Sequence, residues 1–293
     1  MKAVAYALVI TLAVSARAGL VSQTEPRAGR PAAPRTMRVD YYHTGNDKEE
    51  RFSLDRILFE PLPWPGNPAR AIDATDRGKY FFEIVDEASG QVLYSRGFAS
   101  IYGEWETTAE AKVMNRTFSE SLRFPAIDKP VKVVVKKRDA KNAFKDIWTF
   151  RIDPADKFVE RGARMPSAGP LIKIQDSGDP SEKLDLLVMG DGYTAAERGK
   201  FERDSRRLVN TLFQTSPFKE RQKDINVWGL VPAAIESGIS RPSQGIHRRS
   251  PLGTTYDAFD SERYVLTFEN RAFRDFASNA PYDVVEILTN SAT

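Results

Sequence analysis

The chain has 293 residues, 41% of them hydrophobic, which is material for more than one buried core, and it has no cysteine, so neither disulfides nor thiolate chemistry is available to it. Its 43 basic and 40 acidic residues nearly cancel, which argues against nucleic acid as a partner. Its two histidines, His43 and His247, stand far apart and exclude a His-Glu-x-x-His zinc helix, in which two imidazoles lie one turn apart and the glutamate activates a metal-bound water.

The opening residues combine one lysine, Lys2, with an apolar run from Ala3 to Val14 and the small-x-small site Ala16-Arg17-Ala18. Residues 1–18 therefore read as a signal peptide cleaved after Ala18, with a secreted or periplasmic destination. The run is too short to cross a bilayer, so no membrane association is expected after cleavage. Residues 19–36, rich in Ala, Pro and Arg without an apolar period, read as a flexible leader.

From Met37 the pattern alternates with period two: Met37, Val39 and Tyr41; Phe52 and Leu54; Phe82 and Ile84; Leu122 and Phe124; Val131, Val133 and Val135; Trp148, Phe150 and Ile152. Turn residues punctuate these runs, so residues 37–155 are expected to form an all-β, sandwich-like domain. Lys136-Lys137-Arg138 is the solvated tip of a strand, and His43 falls in a polar turn. Tyr102 and Trp105, with Tyr41, Tyr42 and Trp64 elsewhere in the same region, read either as a sugar-stacking platform or as packing aromatics.

Residues 156–170 mix charge with Pro and Gly and read as a linker. In residues 171–293 the period changes to that of an α/β layer. Leu184 to Met189 is a continuous apolar run, as a strand covered on both faces requires. Thr194 and Glu197 form a capping box, followed by a helix whose stripe is Phe201, Leu208, Val209, Leu212 and Phe213. Ile225 to Val231 is the next strand, Phe268 to Phe276 a second helix, and Asp283 to Thr289 a third strand, with parallel pairing. Asp176, Asp179 and Asp185 do not match a calcium loop and read as a solvated approach to the first strand. The expected class is thus α+β with two domains, an all-β sandwich-like domain and then an α/β domain.

Gly190-Asp191-Gly192 lies where open α/β sheets bind ligands, yet it lacks a phosphate-binding pattern and reads equally as a tight turn into the helix. No G-x-S-x-G elbow accompanies His247, which leaves serine hydrolysis a remote option.

The segments YYHTGNDKEERFSLDRILFEPLPWPGNPAR, GKYFFEIVDEASGQVLYSRGFASIYGEWETT and FPAIDKPVKVVVKKRDAKNAFKDIW resemble the amino-terminal domain of the M64, or IgA-peptidase, family. LDLLVMGDGYTAAERGKFERDSRRLVNTLFQTSPF, INVWGLVPAAIESGIS, PLGTTYDAFDSER and APYDVVEIL resemble the first part of that family's zinc-dependent, zincin-type catalytic domain. The resemblance implies zinc and a peptide or protein substrate for full-length relatives. It implies as well that the family's zinc helix follows the strand corresponding to Asp283–Thr289. No counterpart of that helix is expected in this chain, so no catalytic or metal-ligating residue carries over and no zinc is expected to be bound. What carries over is scaffold: Asp191, Gly192 and Tyr193 after the first strand and Glu236, Ser237 and Gly238 after the second, as residues bordering a cleft. Two functions remain open at this stage: an exported M64-like metallopeptidase precursor, inactive as given, or a non-catalytic exported module that binds a glycan or a protein.

Overall fold

Alternating apolar residues build two four-stranded sheets that face each other across one core. A computed structural model describes residues 33–291, so the signal peptide and residues 19–32 of the leader lie outside the described residues. One sheet holds β1 (Arg35–Gly45), β2 (Glu50–Pro63), β5 (Arg116–Pro125) and β8 (Val159–Glu160) in the order β5-β1-β2-β8. The other holds β3 (Tyr80–Asp86), β4 (Val92–Phe98), β6 (Val131–Arg138) and β7 (Phe144–Ile152) in the order β4-β3-β6-β7. Met37, Val39, Tyr41, Leu122 and Phe124 from the first sheet meet Phe82, Ile84, Val133 and Val135 from the second. Pairing is antiparallel except for the short β2–β8 contact. Strand β1 starts at Arg35, so the last residues assigned to the flexible leader are ordered by pairing with Pro63 and Pro125.

Two expectations fail in this region for identifiable reasons. A register shift opposite Asp40 and Tyr41 leaves Asp55 unpaired and changes which residues of β2 face inward: Ile57 and Phe59 join the core, whereas Leu54 is exposed. The second failure concerns β1, which is buried on both faces, so Arg38 and Asp40 are as inaccessible as Val39. They meet α3 (Asn270–Ala277) in a buried ion cluster. Arg38 Nη2 donates to Asp40 at 3.1 Å and also to Asp275, Arg56 bridges Asp40 at 2.7 Å and Asp275 at 2.6 Å, and Arg123 binds Glu60 at 2.8 Å. Every charge in the cluster has an opposite neighbour, as burial demands.

Residues 172–291 form a third sheet in the order β12-β10-β11-β9, from β9 (Ile172–Gln175), β10 (Leu184–Asp191), β11 (Ile225–Leu230) and β12 (Val284–Thr289). Strands β10, β11 and β12 are parallel, and β9, which carries no strong period, adds antiparallel at the β11 edge. α2 (Arg198–Leu212) covers one face through Phe201 and Val209 against Val188 and Val227. On the other face Ala277 at the end of α3 packs with Leu187, Met189 and Leu230. Period 3.6 from Phe201 runs through Ser205 to Val209, so Leu208, expected in the buried stripe, falls outside it and is exposed. Across the described residues strands dominate and helices are few, the α-helices being α2, α3 and the short α1 (Ile101–Trp105).

Candidate functional site

The carboxyl ends of β10, β11 and β12 come together because β10 is central and its neighbours on both sides run parallel to it. The chain leaves β10 toward α2 on one face and leaves β11 toward α3 on the other, which makes this end a topological switch point. Asp191, the last residue of β10, is fully buried and its carboxylate is shared by one loop: Ser250 Oγ donates at 2.7 Å, Thr254 N at 3.0 Å and Leu252 N at 3.1 Å. Gly192 follows at φ +78°, and a Cβ there would stand 2.5 Å from the carbonyl oxygen of Gly238. Glycine is therefore required twice over, by conformation and by contact. Gly238 N donates to Gly192 O at 2.9 Å and Ala234 N to Tyr193 O at 2.7 Å, so the two loops are stitched together by backbone.

A polar chain crosses this junction. Thr194 N and Oγ donate to Glu197 Oε2, both at 2.9 Å, and Ser237 Oγ donates to Glu197 Oε1 at 2.9 Å. The backbone N–H of Thr194, with the Ser237 and Thr194 hydroxyls, lowers the Glu197 carboxyl to about 2. Asn290, just past β12, donates from Nδ2 to Ser237 Oγ and Gly192 O, each at 3.0 Å, while its Oδ1 accepts from Lys200 Nζ at 2.9 Å. The Tyr193 ring is buried edge-on to Phe201. Five of the six expected scaffold positions, Asp191, Gly192, Tyr193, Ser237 and Gly238, thus meet in one network. Glu236 faces away from it, accepting from Arg249 N at 3.0 Å and Arg248 Nη1 at 3.3 Å. Ser237 Oγ gives its proton to Glu197 and accepts from Asn290, so it is a structural hydroxyl, held by a carboxylate whose lowered pKa makes it a poor base. Asn290 and Ser250 escaped the sequence reading: a single asparagine after a strand has no pattern, and Ser250 lies far from Asp191 in sequence.

The histidines do not converge. His43 is buried in β1, not in a surface turn, stacked between Tyr102 at 3.8 Å and Phe52 at 4.2 Å, with Nε2 2.9 Å from Glu50 and Nδ1 3.2 Å from Glu120. Burial alone would lower its pKa, but the hydrogen bonds to Glu120 and Glu50 prevail and hold it above the ordinary 6.5. His247 is exposed in its loop, and among the described residues no hydrogen bond joins it to a serine or a carboxylate. Among the described residues no group of three or more His, Cys, Asp or Glu could hold a metal ion. Among the described residues the two imidazoles are not brought together: one is fixed between two carboxylates and the other lies in a separate, exposed loop.

One open reading is decided and one expectation is corrected. Tyr102 and Trp105 are wholly buried, with Trp105 Nε1 donating to Glu110 at 2.6 Å and Tyr102 OH to Asn46 O at 2.6 Å, so they pack with Phe118 and offer no stacking platform. Asp185 is no solvated approach. It is fully buried at the start of β10, where Trp228 Nε1 at 2.7 Å and Asn226 Nδ2 at 2.9 Å donate to Oδ1 and Oδ2 has no partner.

Two family profiles match the sequence, Peptidase M64 N-terminus over residues 29–149 and IgA Peptidase M64 over residues 172–293. No curated protein matches it. No described helix is long and apolar enough to cross a membrane.

Proposed function

The chain belongs to the M64 peptidase family, and from that premise we propose that it serves peptide-bond hydrolysis as the scaffold of an exported zinc metallopeptidase, active in its full-length form. M64 is a zinc metallopeptidase family, and the observation that carries the reading is that its two profiles fall in order on the β-rich and the α/β parts of one chain. The reading comprises a β-sandwich-like domain over residues 37–155, a connection over 156–170 and part of a zincin-type α/β domain over 171–293. Export by a signal peptide cleaved after Ala18 belongs to the same proposal.

Within this reading the network of Asp191, Gly192, Glu197, Ser237 and Asn290 is scaffold. It fixes the loops at the carboxyl ends of the parallel strands, where a substrate cleft of an α/β layer is built. No step of hydrolysis falls to these residues, since none of them is a free nucleophile or part of a metal-ligand set. Bound zinc would polarise the scissile carbonyl and activate a water, and His43 and His247 cannot hold it together.

The test is metal analysis and a casein-cleavage assay on the purified 293-residue chain beside the full-length form. The full-length form is expected to cleave in a chelator-sensitive way, and the 293 residues alone to hold no stoichiometric zinc. Chelator-sensitive cleavage by the 293 residues, or none by the full-length form, overturns the proposal.

A further inference from the structure

At the end of the third sheet opposite Asp191, a groove of about 880 Å³ separates that sheet from the sandwich. Its walls are the loop after β2, strand β4 and the amino ends of β10, β11 and β12 at Leu184, Ile225 and Asp283. Such a volume accommodates several residues of an extended peptide.

Cations outnumber acids along this groove. Arg123 is bound to Glu60 and Arg221 to Asp224, but Arg70, Arg96 and Arg274 have no carboxylate within ion-pair distance among the described residues. Arg96 donates only to Tyr94 OH at 3.2 Å, and Arg274 lies 3.4 Å from Tyr282 OH with its Nε–H buried and without an acceptor. Arg70 and Arg96 are exposed to a ligand, and Arg274, half-buried with that Nε–H unmet, is the one whose burial calls for an anion. The acids that share the groove do not supply it to Arg274: Asp283 accepts the backbone N–H of Asp185 and feels the charges of Arg123 and Arg96, Asp224 is held by Arg221, and Glu182 has its own interaction.

Aromatic surface lies beside these charges, from the half-buried Trp64 and the exposed Phe218, whereas Tyr94 and Tyr282 are buried beneath the groove. Strand addition is closed off, because Ser95 N and Gly97 N on β4 already donate to Ala71 O and to the Asp73 carboxylate. Recognition must come through side chains.

We propose that this groove binds an acidic peptide segment, its carboxylates on Arg70, Arg96 and Arg274 and its apolar side chains against Trp64 and Phe218. Guanidinium pairs with carboxylates bidentately, and aromatic faces accept apolar or aromatic residues between those contacts. The choice of a peptide among anions rests on the peptidase reading; the groove itself lies away from the carboxyl-end network and would act as an exosite.

The experiment reads binding, so it stands apart from whether the chain cleaves. The 293-residue chain is titrated into a short fluorescein-labelled peptide alternating glutamate with leucine, and into the same peptide with glutamine for glutamate, by fluorescence anisotropy. The glutamate peptide is expected to bind more tightly and to weaken with salt. Arg96→Gln combined with Arg274→Gln is expected to weaken it about tenfold or more, from the loss of charge-assisted hydrogen bonds. Arg70→Gln, on an exposed residue whose change leaves the fold intact, is expected to weaken it a few-fold. Equal affinity for the two peptides, or unchanged affinity in Arg70→Gln and in the double variant, overturns the proposal. So does binding of inorganic pyrophosphate in the absence of any binding of the glutamate peptide.

Discussion

Asp185→Asn is expected to stabilise the chain at neutral pH relative to acid, because Asp185 is an acid folded into a site that disfavours its charge. Its carboxyl is fully buried; burial raises its pKa from the ordinary 3.8 to about 6, with Asp283 adding to the rise, against the hydrogen bonds from Trp228 and Asn226 that lower it. In the unfolded chain the group ionises near its ordinary value, so between that value and about 6 the unfolded state sheds its proton first and gains on the folded one. Below both values there is no penalty; above about 6 it stands in full, about 3 kcal/mol at roughly 1.4 kcal/mol per pH unit. The amide keeps an Oδ1 acceptor for Trp228 and Asn226 and does not titrate. Urea unfolding followed by tryptophan fluorescence at a series of pH values tests this. The stability of Asp185→Asn minus that of the parent should rise by about 3 kcal/mol between about pH 4 and pH 7 and then level off. Asp283, whose carboxylate accepts the Asp185 N–H and is also raised by burial, is the neighbour that could carry the effect instead, so Asp283→Asn is the control. A stability difference between Asp185→Asn and the parent that is flat across pH would refute the reasoning.

His43 predicts a slope of the same sign at higher pH. With a folded pKa above the ordinary 6.5, its contribution is complete below that value and is lost as pH rises through the folded value, so His43→Gln should abolish a fall in stability on the alkaline side in the same unfolding series. Gly192→Ala should cost about 2 kcal/mol or more, since φ +78° and the Gly238 carbonyl both oppose a Cβ, and amide exchange should rise in the 234–239 loop; unchanged exchange there would count against the stitched junction. Asp191→Ala removes the acceptor of Ser250, Leu252 and Thr254 and should destabilise by about 3 kcal/mol, read as faster proteolysis within residues 250–254. Trp105→Ala should lower the melting temperature, at a cost of about 3 to 5 kcal/mol, because the ring is entirely enclosed; a variant as stable as the parent would restore a surface role for it.

Much of the secondary structure was legible in the residues themselves. Runs such as Val131-Lys132-Val133-Val134-Val135 and Leu184 to Met189 meet β6 and β10, and Thr194 with Glu197 does mark the entry to α2, because period and capping are local properties. Sequence failed where distant chain covers a face. Arg38 and Asp40 alternate with core residues as solvent-facing polar residues do, and only the arrival of Asp275 from α3 buries them. His43 looked like part of a polar turn for the same reason, its partner Glu120 being contributed by a separate strand. At the carboxyl-end network Asp191 and Gly192 were legible from the strand-to-helix turn, whereas Asn290, Ser250 and the excess of arginine in the groove depend on residues brought together only by the chain's tertiary path.

The ion cluster that ties β1, β2 and β5 to α3 also governs how the chain comes apart. Detaching the strands from α3 would take Asp275 from Arg38 and Arg56 and open the cluster to water, so the docked state keeps ion pairs that separation exchanges for hydration. A protease nick in the exposed stretch between Asp153 and Pro170 is therefore expected to leave two fragments that co-elute on a sizing column.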